Sequence, residues 1–134
     1  LGDLFTVLLA PYDDVGAFAG RIRVAVPRMG LGDKAATNLA LVIHELATNS
    51  LKYGALSNDT ALLDITGTLD DEDVEIVWNE HGAENVHAPK SPEGYGSKLL
   101  HRTISGQFGG SIDYEWLEGG VVVRFRLKKS HLAA

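Results

Sequence analysis

Hydrophobic and polar residues follow two different periods in the first half of the chain, and these periods predict its first elements. Residues 20–27 alternate between apolar and polar, which is the pattern of a strand with one buried face. In residues 34–53 apolar side chains recur every three or four positions, which predicts a long amphipathic helix with Asp33 as its cap. The predicted buried positions are Ile22, Val24 and Val26 on the strand and Leu39, Ile43, Leu46 and Ala47 on the helix.

A hairpin is predicted next, because two strand-like runs flank a short acidic turn. The runs are residues 60–69 and 74–78, and the turn is residues 70–73. Trp78 ends the second, apolar run, so we expect it to pack in the core. Residues 79–96 are rich in Gly, Pro, Asn and charged side chains and are predicted to form a loop.

The last third of the chain predicts one more helix and one more hairpin. The helix covers residues 97–107 and ends at Gly109 and Gly110, and strands at 111–116 and 121–127 follow. Strands in adjacent pairs with helices between them favour an α+β fold. We predict a two-layer sandwich with a mixed, mostly antiparallel sheet and the helices on one face.

Composition narrows the functional classes. The chain has 134 residues, a formal net charge of −6 and no cysteine. Zero cysteines exclude disulfides, thiolate metal sites and a cysteine nucleophile, and the acidic balance argues against a nucleic-acid binder. We expect no membrane contact and a cytoplasmic location, because we find neither a signal peptide nor a membrane-length apolar run. Glycine is frequent, at 15 residues, so tight turns or close approach of backbone to a ligand are expected.

Three polar side chains share one face of the predicted long helix. Glu45, Asn49 and Lys52 are spaced by four and three residues. An amide oxygen can ligate Mg²⁺, an ammonium can contact phosphates, and a carboxylate can lie near a reacting group. The alternative is an ordinary solvated face, which the spacing alone favours, although Asn is a poor residue in a helix interior without a partner.

A family resemblance rests on four segments in a fixed order. Residues 44–57 resemble the N box of the ATP-binding domain of sensor histidine kinases, most closely that of the HWE subfamily. Trp78 and Glu80 match the tryptophan-x-glutamate feature of that subfamily, residues 94–100 resemble its second glycine box, and residues 108–126 resemble its closing hairpin. The resemblance implies the Bergerat ATP-binding fold of the GHKL group, with ATP and Mg²⁺ as cofactors.

The resemblance also implies roles for residues of the long helix. Asn49 would be the Mg²⁺ ligand, Glu45 the polar group near the γ-phosphate, and Lys52 a phosphate contact. Tyr53 would lie near the nucleotide, or would simply pack against the sheet. His44 is a marker of the subfamily, with no chemical role that follows from the residues.

The remaining implied contacts lie after Trp78. Glu80 and Gly82 occupy the place of the adenine-reading motif of typical histidine kinases, so Glu80 is predicted to accept a hydrogen bond from the adenine amino group. The alternative for Glu80 is an exposed loop carboxylate, and we expect His81 and His87 to be incidental loop histidines. A short lid would follow Gly82, and the implied nucleotide-binding residues of the second glycine box are Gly94, Tyr95, Gly96, Ser97 and Leu99.

The phosphoacceptor histidine of such a kinase lies on a dimerisation hairpin, for which the chain has no room before Pro11. We therefore predict the end of an upstream helical region at 1–12, the catalytic domain at 13–130 and a tail at 131–134. The implied partners are ATP, that hairpin, a response-regulator receiver domain and a second copy of the full-length protein. Two alternatives stay open, a stand-alone serine kinase of the anti-sigma type and a non-catalytic interaction module on the same fold.

Overall fold

The computed structural model describes residues 4–8, 22–27, 29–53, 62–82, 97–117 and 120–133. Residues 4–8 are helical, and the elements from residue 22 to residue 128 follow the predicted order of strands and helices. A short helix after the last strand was not predicted. Their bounds are β1 Ile22–Ala25, α1 Asp33–Tyr53, β2 Leu62–Leu69, β3 Asp73–His81, α2 Ser97–Arg102 with a π-helical turn at Thr103–Gln107, β4 Ser111–Leu117, β5 Gly120–Lys128 and α3 Lys129–Leu132.

The five strands form one sheet in the order β1-β2-β3-β5-β4. β1 pairs with β2 in parallel, because α1 connects them, and the other three pairings are antiparallel. The predicted α+β fold with a mixed, mostly antiparallel sheet is confirmed. β3 is the central strand, with a full-length partner on each side.

One face of the sheet is buried against the helices. Along β3 the side chains alternate strictly, with every second residue buried from Val74 to Glu80. The apolar ones among them join the predicted apolar face of α1 in one core cluster, which includes Leu39, Ile43, Leu46 and Ala47. Trp78 is completely buried, so its prediction as a core residue is confirmed.

β3 is longer than predicted. The loop prediction is wrong at residues 79–81, which continue the strand and pair with both β2 and β5 as far as Glu80. The polar composition of this stretch is misleading, because Asn79 and His81 project to the open face of the sheet while Glu80 has a partner on the buried face. Gly82 follows with a φ of 77°, a conformation that glycine adopts without strain.

The first turn of α1 is joined to the other end of the described chain. The Ala36 amide donates to the Gly32 carbonyl at 2.9 Å, so Gly32 is the capping residue and Asp33 is the first residue inside the helix. The Gly32 amide in turn donates to the carbonyl oxygen of Leu132 in α3, also at 2.9 Å. Leu132 is buried, so the short helix α3 packs on the core beside the start of α1.

The predicted helix at 97–107 changes its winding half-way. α2 passes into the π-helical turn at Thr103, and two consecutive buried side chains, Thr103 and Ile104, lie in that turn. The predicted stop at glycine is present: Gly109 has a φ of 63°. At Gly110, a Cβ would lie 1.7 Å from the Arg126 carbonyl oxygen, so only glycine fits there. Among the described residues, no helix has the length and apolar character needed to cross a bilayer.

Candidate functional site

The side chains of α1 that are predicted for the site lie in the second half of the helix. Glu45 and Asn49 are both half-buried and lie one helical turn apart, as the spacing predicts. His44 is exposed, and its carbonyl oxygen accepts a hydrogen bond from the Thr48 hydroxyl at 2.7 Å. Lys52 and Tyr53 continue the helix, and their side chains lie outside the described residues. α1 therefore presents a carboxylate and an amide side by side.

Glu80 is a buried carboxylate, with only 5% of the residue exposed. Its Oε2 accepts a hydrogen bond of 2.9 Å from the indole Nε1 of Trp78, which is two residues earlier and therefore on the same face of β3. A buried carboxylate without such a donor would cost several kcal/mol in desolvation. The alternative that Glu80 is an exposed loop carboxylate is therefore wrong. Trp78 and Glu80 form a hydrogen-bonded unit, which we call the Trp78–Glu80 pair.

The backbone of Glu80 is held as closely as its side chain. A Cβ on Gly120 would lie 1.8 Å from the Glu80 carbonyl oxygen, so the start of β5 can approach β3 only because residue 120 is glycine. Leu63 and Val121 flank Glu80 in the sheet. The carboxylate is thus fixed near the end of the central strand.

Tyr114 contributes a third polar group on the same buried side. Its hydroxyl oxygen is buried and, within the described part of the chain, has no hydrogen-bond partner. Burial, followed by the charges of Glu45 and Glu80, raises the pKa of this hydroxyl. The predictions did not include Tyr114. The available signal was a tyrosine between Ile112 and Trp116 on the inward face of an alternating strand.

The structure describes only some of the other predicted site residues. Ser97 is the first residue of α2, and Leu99 is 40% exposed on it. Gly94, Tyr95, Gly96 and His87 lie outside the described residues. His81 belongs to the open face, where its Nε2 lies 2.7 Å from a carboxylate oxygen of Asp64, so it points away from Glu80.

The donor set of this region suits a magnesium–nucleotide ligand. The Asn49 amide oxygen and the Glu45 carboxylate are hard oxygen donors, which Mg²⁺ prefers. Glu80 offers an acceptor to a donating base, and the Tyr114 hydroxyl is a buried polar atom without a partner among the described residues. The residues present therefore fit the cofactors that the sequence predicts.

Comparison with known proteins agrees with this geometry. No family model matches the chain. The blue-light-activated histidine kinase 1 of Erythrobacter litoralis is 36% identical over 129 residues, which cover 95% of this chain and 35% of that protein. The chain belongs to the histidine kinase family. The segments that match are those of the HWE type, and membership of the family implies a nucleotide-binding fold.

Solved structures show the same fold at lower identity. The histidine kinase domain of a blue-light activated histidine kinase from Erythrobacter litoralis has a TM-score of 0.74 at 15% identity, covering 96% of this chain and 62% of that one. Histidine kinase ThkA in complex with the response regulator protein TrrA has a TM-score of 0.71 at 17% identity, covering 98% and 41%. This chain of the histidine kinase family spans about a third of the length of its curated relative.

Proposed function

We propose that this domain binds Mg·ATP and transfers the γ-phosphoryl group to a histidine on a separate dimerisation hairpin. The proposed catalytic unit is residues 13–130, with residues 1–12 as the end of an upstream helical region and residues 131–134 as a tail whose Leu132 packs on the core. The observation that carries the proposal is the Trp78–Glu80 pair. A buried carboxylate on a rigid central strand is a costly feature, which a specific ligand contact would explain.

Glu80 is the proposed reader of adenine. Its carboxylate accepts hydrogen bonds only, so it would pair with the amino group of adenine and reject the carbonyl oxygen that guanine has at that position. The Trp78 indole would fix the carboxylate in place before the nucleotide arrives. Gly82 would begin the lid, and Gly94, Tyr95, Gly96, Ser97 and Leu99 would line the nucleotide.

The polar face of α1 is proposed to hold the phosphates. Asn49 would ligate Mg²⁺, which supplies charge neutralisation when bound, and Lys52 would contact a phosphate as a point charge. Glu45 would lie near the γ-phosphate and orient the acceptor imidazole, and Tyr53 would pack beside the nucleotide. Phosphoryl transfer of this kind depends on positioning and on charge stabilisation, which a rigid helix face provides.

The proposed partners follow from the family. ThkA is described in complex with a response regulator, and we propose that a receiver domain likewise accepts the phosphoryl group from the hairpin histidine in the full protein. We propose a homodimer for the full-length protein, in the cytoplasm, without contact of this domain to membrane or nucleic acid.

Substitution of the proposed metal ligand tests the function. Asn49→Ala should remove Mg²⁺-dependent ATP binding, with at least about a tenfold loss of affinity, since a hydrogen bond or ligand bond to a charged group contributes about 1.5–3 kcal/mol. Isothermal titration with ATP and a non-hydrolysable analogue, with and without Mg²⁺, measures this loss.

Asn38→Ala is the matched control, because it makes the same change on the same helix. Asn38 donates from Nδ2 to Oε1 of Gln107 at 3.3 Å, at the opposite end of α1 from Asn49. This variant should bind Mg·ATP like the parent. If Asn49→Ala also binds like the parent, α1 is not the metal-binding helix, and a parent that binds no ATP would favour an interaction module.

A further inference from the structure

Tyr114 lies across the sheet from the Trp78–Glu80 pair. It pairs with Val123 of β5, and Val123 pairs with Trp78 of β3. The adjacent row runs from Trp116 through Val121 to Glu80. Paired residues in antiparallel strands share a face, so Tyr114, Trp78 and Glu80 all project toward the helices.

The hydroxyl of Tyr114 is an exception to a general rule. Buried polar atoms in folded proteins nearly always have a hydrogen-bond partner. This hydroxyl oxygen is buried and has none in the part of the chain that the structure describes. The ring is held by its neighbours, including His101 of α2 with ring centroids 6.5 Å apart. The unpaired hydroxyl lowers the stability of the ligand-free fold, so a role with ligand bound would account for it.

Two carboxylates lie close enough to act on this hydroxyl. Burial has the largest effect in raising the pKa of the hydroxyl, and the charges of Glu45 and Glu80 add to it, Glu45 more than Glu80. The hydroxyl therefore keeps its proton at neutral pH and is available as a donor. Both carboxylates belong to the proposed nucleotide site.

Glu80 belongs to the same rigid sheet as Tyr114. It lies on the same sheet face in the adjacent row, on strands that are hydrogen-bonded through β5, whereas Glu45 is carried by a different layer. The indole of Trp78 already donates to one of its oxygens. A carboxylate has room for several donors, so a second fixed donor would lock its orientation.

We propose that Tyr114 is a positioning residue for base recognition, whose hydroxyl donates to the Glu80 carboxylate when adenine is bound. The proposal rests on the proposed function of Glu80. The hydroxyl is unpaired in the free protein and paired in the complex, so its contribution appears in nucleotide affinity and selectivity rather than in the stability of the free fold.

The test is Tyr114→Phe, which removes only the hydroxyl. The free variant should be as stable as the parent or melt about 2–5 °C higher, because an unpaired buried oxygen is gone. Its ATP affinity should fall about tenfold or more, as expected for one hydrogen bond to a charged group. GTP affinity should change less than about twofold, so the preference for ATP over GTP falls.

The outcomes separate this proposal from the one on which it rests. A parent protein that binds no ATP overturns the proposed function itself. A parent that binds ATP, with an unchanged ATP-to-GTP preference in Tyr114→Phe, overturns only the role of Tyr114. An equal loss for both nucleotides also overturns it, because the hydroxyl would then act through Glu45. Trp116→Phe, on the same face of β4, is the control for repacking and should leave the preference unchanged.

Discussion

The two faces of β3 place carboxylates in opposite circumstances. On the helix-facing side Glu80 is buried, and the indole of Trp78 donates to it at 2.9 Å. On the open side Glu75 accepts from the Arg126 guanidinium at 3.1–3.2 Å and remains about a third exposed. Both carboxylates have a donor at hydrogen-bond distance, but only one of them is out of contact with water.

This difference decides what each contact contributes. Solvent-exposed ion pairs typically contribute between about 0 and 1 kcal/mol, because water and salt screen them. Removing the partner of a buried carboxylate leaves a desolvated charge, which costs about 1–3 kcal/mol or more. The ion pairs on the open face therefore contribute little to stability, whereas the buried face carries the energetically demanding carboxylate.

Gly120→Ala should have the largest effect on stability, because the added Cβ would displace the backbone next to Glu80. A Cβ at this position would lie 1.8 Å from the Glu80 carbonyl oxygen, so β3 and β5 must separate. We expect a loss of about 3 kcal/mol or more in the free energy of unfolding, measured by urea denaturation.

Gly106→Ala is the matched control, since a Cβ there would meet no atom within 4 Å. This change in the π-helical turn should leave stability equal or slightly higher, by up to about 1 kcal/mol. Equal stability losses in the two variants would contradict the close approach at Gly120.

Trp78→Phe should have the next largest effect. The change removes the indole N–H that pairs with Glu80 and opens space in the core, so we expect a loss of about 2–3 kcal/mol. Trp116→Phe, the same change at a half-buried position of β4, should cost less than about 1 kcal/mol. If denaturation shows the two tryptophans to be equivalent, the Trp78–Glu80 pair adds nothing beyond ordinary packing.

Substitution of Asp70, on the exposed side of the molecule, should have the smallest effect on stability. In the turn between β2 and β3 its Oδ1 accepts from the amides of Asp73 at 2.7 Å and Glu72 at 3.0 Å. These backbone N–H groups hold the pKa of the Asp70 carboxyl below its ordinary value of 3.8. Because the folded-state pKa is lowered, the charged form stabilises the fold above about pH 4, and this contribution disappears as the pH falls through the folded-state pKa.

Asp70→Asn should therefore be slightly less stable than the parent at neutral pH and equal to it in strong acid. Thermal unfolding at a series of pH values between about 2 and 7 measures this difference in stability. The two proteins should become equally stable as the pH falls through the lowered pKa of Asp70. Asp71→Asn, an exposed neighbour in the same turn, is the control and should follow the parent throughout. A pH-independent difference for Asp70→Asn would contradict the charge-dependent origin.

Hydrophobic periodicity was sufficient to predict the order of β1 to β5 with α1 and α2, the sheet class and the buried face of α1, but not the short helix α3. These features follow from local burial, which the sequence records directly at Leu39, Ile43 and Leu46. The end of β3 was not predictable in this way, because Asn79, Glu80 and His81 are all polar. Their strand conformation depends on partners that are distant along the chain, Leu63 in β2 and Val121 in β5.

The candidate site shows the same division. Glu45 and Asn49 were predicted from helical spacing and from the resemblance, and the structure has them one turn apart. The partner of Glu80 and the unpaired hydroxyl of Tyr114 depend on side-chain orientation across three strands. Hydrophobic periodicity cannot predict which buried tyrosine lies near which carboxylate.

The parallel edge strand has a consequence for how the molecule assembles. Only a few residues separate β2 from β3 and β4 from β5 along the chain, so these pairs can form early, whereas β1 reaches β2 only after the intervening α1 has docked. β1 is also the shortest strand, with four paired residues on one side only. We therefore expect β1 to join the sheet late in folding and to exchange its amide hydrogens first, while β3, which carries Glu80, is among the last segments to open.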